Sequence, residues 1–170
     1  MKGTIVASRY AKSLLELSIE KNNLDKVNND MVQLSEICAE SADLLSVLNN
    51  PTINAVKKSE VFTAIFKGKI EDVSLEFIHL ITKNSRETLL PVIAQSFTKL
   101  YKEHNNILDV ELISAVALDE AAKSKIMDKV KAKFDGATIQ LTEKLDESIL
   151  GGFIVKIGDQ QIDASIASQI

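Results

Sequence analysis

The apolar residues of this 170-residue chain change their period once, near Asn105-Asn106. Before that point they recur at three- and four-residue spacing, the stripe of amphipathic helices. After it they alternate with polar residues, the pattern of half-buried strands. One chain with two periods predicts two modules, 1–105 and 106–170, and an α+β fold: an N-terminal six-helix bundle followed by a small C-terminal α/β module.

In the first module Thr4 is placed to cap a helix running to about Glu20. Leu24, Val27, Met31, Leu34 and Cys38 form the stripe of a second helix, and Asp43–Leu48 a third that stops at Asn49-Asn50-Pro51, because the residue before proline avoids helical geometry. A fourth covers about Ala55–Phe66. Asp72 is placed to cap a fifth, Val73–Lys83, and the sixth runs over about Thr88–His104 with Pro91 in its first turn. In the second module Leu108, Val110 and Leu112 mark a strand, and Asp119 opens a helix with Ala122, Ile126, Val130 and Phe134 on one face. Ile139–Thr142, Phe153–Ile157 and Gln160–Asp163 complete a set of four strands, the last two joined by a turn at Gly158-Asp159. About 65 residues lie near the lower limit for a self-sufficient core.

Charge and composition exclude several functions. The net charge of −4 offers no basic face for nucleic acid. Residues 1–104 carry 13 basic and 13 acidic side chains, whereas residues 105–170 carry 7 and 11, so the whole acidic excess lies in the second module and favours a basic partner there. No apolar run approaches the roughly 20 residues that span a bilayer, so direct membrane insertion is not expected. The start of the chain has no signal-peptide character.

No catalytic constellation emerges, and no cofactor or metal is expected. His79 and His104 each stand without a second ligand at metal-binding spacing and read as surface histidines, and Cys38 sits on an apolar stripe as a small hydrophobe without a nearby base. Gly151-Gly152 precedes a strand, so it lacks the helix terminus of a phosphate cradle. Asp159 and Asp163 form the sole carboxylate pair worth weighing, as the acid–base groups of a small transferase or hydrolase. A turn aspartate and a helix-capping aspartate explain them well, and the enzyme reading is the weaker one.

One physical feature exceeds what a simple bundle requires. The first helix is apolar over about half its circumference, through residues such as Val6, Tyr10, Leu14 and Leu17; the fifth is similarly wide, through Val73, Phe77, Leu80 and Ile81. A core-lining helix needs a stripe of about 100°. Either the bundle buries both helices centrally, or they form a groove for a foreign helix. Periodicity leaves both open, as it does a generic helical adaptor joined to an α/β module.

The segment Ala7-Ser8-Arg9-Tyr10-Ala11-Lys12-Ser13-Leu14 resembles the opening of the delta subunits of bacterial F-type ATP synthases, whose mitochondrial counterpart is the oligomycin-sensitivity-conferring protein. Asn84-Ser85-Arg86 with Leu89-Leu90-Pro91 is similar to the family's mid-chain Asn-x-Arg-x-x-x-Leu-Pro pattern, and Ile113–Leu118 to its strand-to-helix junction. Gly151-Gly152-Phe153-Ile154-Val155-Lys156-Ile157-Gly158-Asp159, followed by Ile162-Asp163-Ala164-Ser165, resembles its C-terminal signature. The resemblance implies a non-catalytic stator subunit, peripheral on the cytoplasmic face of the bacterial plasma membrane. The helical module would grip the N-terminal helix of an alpha subunit, with Tyr10, Ser13, Leu14 and Leu17 on one wall and Leu80 with Ile81 on the other. The second module would hold the C-terminal ends of the b subunits, with Gly151, Gly152, Gly158, Asp159, Ile162 and Asp163 as its signature or stalk-binding residues. It also implies several residues beyond Ile170.

Overall fold

The helical spacing of the first hundred residues produces six α-helices: α1 (Lys2–Glu20), α2 (Leu24–Glu40), α3 (Ala42–Asn49), α4 (Ala55–Phe66), α5 (Asp72–Lys83) and α6 (Leu90–His104). The structure, a computed structural model, describes residues 2–149, 152–158 and 160–163, with the backbone alone for Lys2 and residues 160–163. Residues 1–101 and 102–170 form separate units.

Local chemistry sets most of the helix ends. The Ser41 hydroxyl accepts the Leu44 N–H at 3.1 Å and the Asn54 carboxamide oxygen accepts the Lys57 N–H at 2.9 Å, satisfying donors that open α3 and α4. Three starts differ from expectation. Thr4 lies inside α1, which begins at Lys2. Asp72 is the first residue of α5 rather than its cap; the cap position is Glu71, whose side chain makes no capping bond. Instead Asp30, on α2, accepts the Glu71 N–H at 2.9 Å and the Ser74 hydroxyl at 2.7 Å, so a neighbouring helix caps this one. The expected start of α6 at Thr88 is a 3-10 turn, Glu87–Leu89, and Pro91 is the second residue of the α-helix that follows, where its missing N–H has no intrahelical partner to lose.

One apolar core serves all six helices. Ala7, Ala11 and Leu14 enter it from α1, and Val27, Met31, Leu34 and Cys38 from the α2 stripe. Phe62 and Phe66 of α4 stack with centroids 6.5 Å apart, and Ile78, Ile81, Leu90, Ile93 and Phe97 complete the centre. Each fully buried Leu, Ile or Phe contributes about 1.5–3 kcal/mol. At the edge of this core the Lys58 ammonium donates to the Glu87 carboxylate at 2.7 Å and to the Leu48 carbonyl at 2.8 Å, with the two side chains 4% and 11% exposed.

The second unit is a four-stranded sheet with one helix on a face. Its elements are β1 (Ile107–Ser114), α7 (Glu120–Lys133), β2 (Thr138–Leu145), β3 (Phe153–Ile157) and β4 (Gln160–Asp163), in sheet order β2-β1-β3-β4. β1 and β2 are parallel and joined through α7; β3 and β4 return antiparallel. Asp119 caps α7, accepting the Ala122 N–H at 2.7 Å. Val110, Leu112, Val155 and Ile157 point to the helix side and pack with Ile126 and Val130. Asn106 adopts a left-handed conformation at φ 54°; its side chain donates to the Gly136 carbonyl at 3.1 Å and its carbonyl accepts the Thr138 N–H at 2.9 Å, which sets the register in which β2 starts.

Candidate functional site

Tyr10 is the residue around which α1 and α5 are fitted to each other. It is half-buried, with its ring edge-on to Phe77 of α5 at 6.3 Å and 74°. Its hydroxyl accepts a bond from the Asn84 carboxamide at 3.1 Å, and the Arg86 guanidinium lies 5.7 Å from the ring centroid. Such a cation over an aromatic face is worth about 0.5–1 kcal/mol at an accessible site. Farther up α1, a Cβ on Gly3 would lie 3.3 Å from Leu89, in the 3-10 turn that follows α5.

Burial divides the expected wall residues into two sets. Leu14 and Ile81 are 1% and 0% exposed and belong to the core, so no partner reaches them on the folded unit. Both stand at the centre of their helices' inward stripes, with Ala7, Ala11 and Ser18 on one and Val73, Phe77 and Ile78 on the other. Leu17 and Leu80 remain 37% and 49% exposed, and Ser13 is exposed with its hydroxyl donating to the Arg9 carbonyl at 3.1 Å. Tyr10, Ser13 and Leu17 recur at three and four residues and share a flank of α1. Leu80, three residues after Phe77 and four before Asn84, shares the flank of α5 that meets Tyr10. Tyr10, Leu17 and Leu80 are thus the apolar members of the expected walls that stay partly or largely exposed, a smaller set than the sequence pattern implied. Most of the extra apolar breadth of α5 is consumed by the core.

Phe77, Asn84 and Arg86 orient Tyr10; Phe77 was expected only on the wide apolar face of α5, and Asn84 and Arg86 only as family markers. The signal was present as the Asn84-Ser85-Arg86 pattern. The backbone shows its use: Ser85 has φ 59°, and this left-handed residue turns the chain so that both flanking side chains reach Tyr10.

Among the described residues the remaining candidates supply no reactive group. His79 is half-buried, not a surface histidine, with Nε2 3.1 Å from the Thr63 hydroxyl, whereas His104 is exposed. Burial pushes the Cys38 thiol up to about 11, so it stays protonated at neutral pH. Among the described residues no group of three His, Cys, Asp or Glu is placed to hold a metal, and no helix is long and apolar enough to cross a membrane. In the second unit Gly152 and Gly158 have φ 70° and 58°, conformations that favour glycine. Ile162 pairs with Val155 and Asp163 with Ile154 through the backbone. Gly151 and Asp159, and the side chains of Ile162 and Asp163, lie outside the described residues, and with them the carboxylate pair of the enzyme reading.

The chain is similar to proteins with a shared description. The family model for the ATP synthase delta (OSCP) subunit matches residues 6–170. An ATP synthase subunit delta of Cytophaga hutchinsonii is 35% identical over 170 residues, covering 100% of this chain and 92% of the relative. One from Parabacteroides distasonis is 36% identical over 168 residues, with coverage of 99% and 92%. Among solved structures, a chain of the Toxoplasma gondii mitochondrial ATP synthase hexamer superposes with a TM-score of 0.74 at 19% identity, over 96% of this chain and 92% of that one, which shows a shared fold. With the family model and relatives above 30% identity both spanning nearly its whole length, this chain belongs to the ATP synthase delta (OSCP) family.

Proposed function

We propose that this chain, a peripheral-stalk subunit of an F-type ATP synthase by its family, works as a two-ended link without catalysis of its own. Its six-helix unit takes the N-terminal helix of an alpha subunit in a groove between α1 and α5, and its α/β unit holds the C-terminal ends of the b subunits. This seats it on the cytoplasmic face of the membrane that carries the complex.

The observation that carries the reading is the set of apolar side chains left open near a fixed tyrosine. Leu17 and Leu80 stay exposed beside a tyrosine already held by Phe77, Asn84 and Arg86. A preorganised aromatic flanked by open apolar side chains supports docking of an amphipathic helix with little ordering cost. Two modest attachments on one chain reinforce each other through effective concentration, which suits a link that bears load. Leu80→Asp tests the head-binding end. Titration calorimetry with the alpha N-terminal peptide is expected to show affinity at least tenfold weaker, with unchanged circular dichroism because Leu80 is outside the core. Unchanged affinity would remove the groove from the reading.

A further inference from the structure

The α/β unit carries an apolar patch at the end of its sheet where β1 and β2 finish. Val116 is 71% exposed and Leu145 is 63% exposed. They are neighbours: Leu145 pairs with Ser114, whose hydroxyl donates to the Val116 carbonyl at 2.7 Å, and the Asp146 N–H donates to the Ser114 carbonyl at 2.8 Å. Ala117 is exposed beside them.

The reason for the exposure is a mismatch in length between helix and strand. Lys123 of α7 reaches Glu143 of β2 at 2.9 Å. Leu145 lies two residues farther along the strand, about 6.6 Å, on the same side of the sheet. The helix has three residues left beyond Lys123, about 4.5 Å of rise, before it ends at Glu120. Leu145 is thus left past the end of the helix that covers Ile139 and Leu141.

Charge is concentrated at the same end. Asp119, Glu120, Glu143, Asp146 and Glu147 are there with two cations, Lys123 and Lys144. Lys123 is committed to Glu143 and approaches Glu120 at 3.8 Å. The Ser148 hydroxyl and N–H donate to Asp146 and hold its carboxyl below the usual range, so it is ionised at neutral pH. The last turn of α7, at the opposite end, carries Lys131 and Lys133. Carboxylates thus outnumber cations by five to two around the apolar patch.

We propose that the Val116–Leu145 patch is a docking surface for a basic amphipathic helix, the end of a stalk subunit, with apolar contacts at its centre and the surrounding carboxylates taking lysine or arginine. This rests on the stalk-binding reading above and gives it a specific surface. An apolar centre with a charged rim is the arrangement that combines affinity with orientation.

The experiment uses the full chain and the soluble part of the cognate b subunit. Val116→Asp and Leu145→Asp are each expected to weaken binding tenfold or more, and Glu120→Lys with Glu147→Lys to weaken it and reduce its dependence on salt. Affinity for the alpha N-terminal peptide should stay within twofold throughout, and unchanged circular dichroism and thermal unfolding of the α/β unit report that the variants are folded. If both aspartate variants bind the b subunit as the wild type does, the patch is not the docking surface and the proposal is overturned. If sedimentation shows a dimer that Val116→Asp abolishes while b binding is unchanged, the occupant is a second copy and the proposal is equally overturned. Failure of the wild type to bind the b subunit while the alpha peptide still binds strikes the stalk reading itself.

Discussion

Asp30 shows how one side chain can do a job assigned to another. Its carboxylate, 7% exposed, accepts the N–H of Glu71, the cap position of α5, and the Ser74 hydroxyl. Burial raises its pKa above the ordinary 3.8, against the two hydrogen bonds, which lower it. A carboxyl raised in the folded state binds more protons there than in the unfolded chain. Its contribution to stability is therefore most favourable below the ordinary value and declines as pH rises through the raised one. Asp30→Asn removes this term. Urea unfolding across pH 3.5–6 is expected to show the stability of the variant relative to wild type improving as pH rises, and a flat difference would contradict the assignment. Cys38 illustrates the opposite case, a residue read correctly as core from its place on the α2 stripe.

Between elements, the main polar tie is Lys58 of α4, which joins the last residues of α3 to the 3-10 turn before α6 through Leu48 and Glu87. One carboxylate oxygen of Glu87 is buried without a partner, so the pair sits close to its limit of satisfaction. Breaking such a pair from one side leaves a buried charge and costs about 3–5 kcal/mol. Lys58→Met is expected to lose that much in chemical denaturation. Adding Glu87→Leu should restore most of it, because the orphaned carboxylate is then gone. Helix positions themselves were well marked in the chain: α4 follows its expected limits, and the structure adds Asn54 as its cap. The starts of α1, α5 and α6 were misread, while their C-terminal limits were not. At α5 the cap comes from α2, 41 residues earlier than Glu71, and local sequence carries no sign of it.

At the scale of the molecule, the change of period near Asn105 corresponds to a change from six helices around one core to a sheet with its own core. The two clusters of buried side chains are distinct, which makes a prediction. A chain of residues 1–104 is expected to unfold cooperatively and to bind the alpha N-terminal peptide within about threefold of the full chain. Calorimetry and thermal denaturation of that fragment check both, and a fragment without a folding transition would show that the helical core depends on the second unit. The division also explains why the candidate surfaces were unequally legible. Tyr10, Ser13, Leu17 and Leu80 were named from the family resemblance and remain accessible, whereas Leu14 and Ile81 were named with them and are buried. Val116 and Leu145 gave no periodic signal at all.

Periodicity and turn chemistry act between residues close in the chain, so the sequence by itself determined the element types, their order, the α2 stripe and the cap at Asp119. The family pattern added Asn84 and Arg86 as paired markers without saying what they hold. Which flank of a wide apolar helix stays open, which distant carboxylate caps α5, and where a strand outruns its covering helix depend on separations through space. Those were decided only when α1 met α5 at Tyr10 and α7 ended short of Leu145.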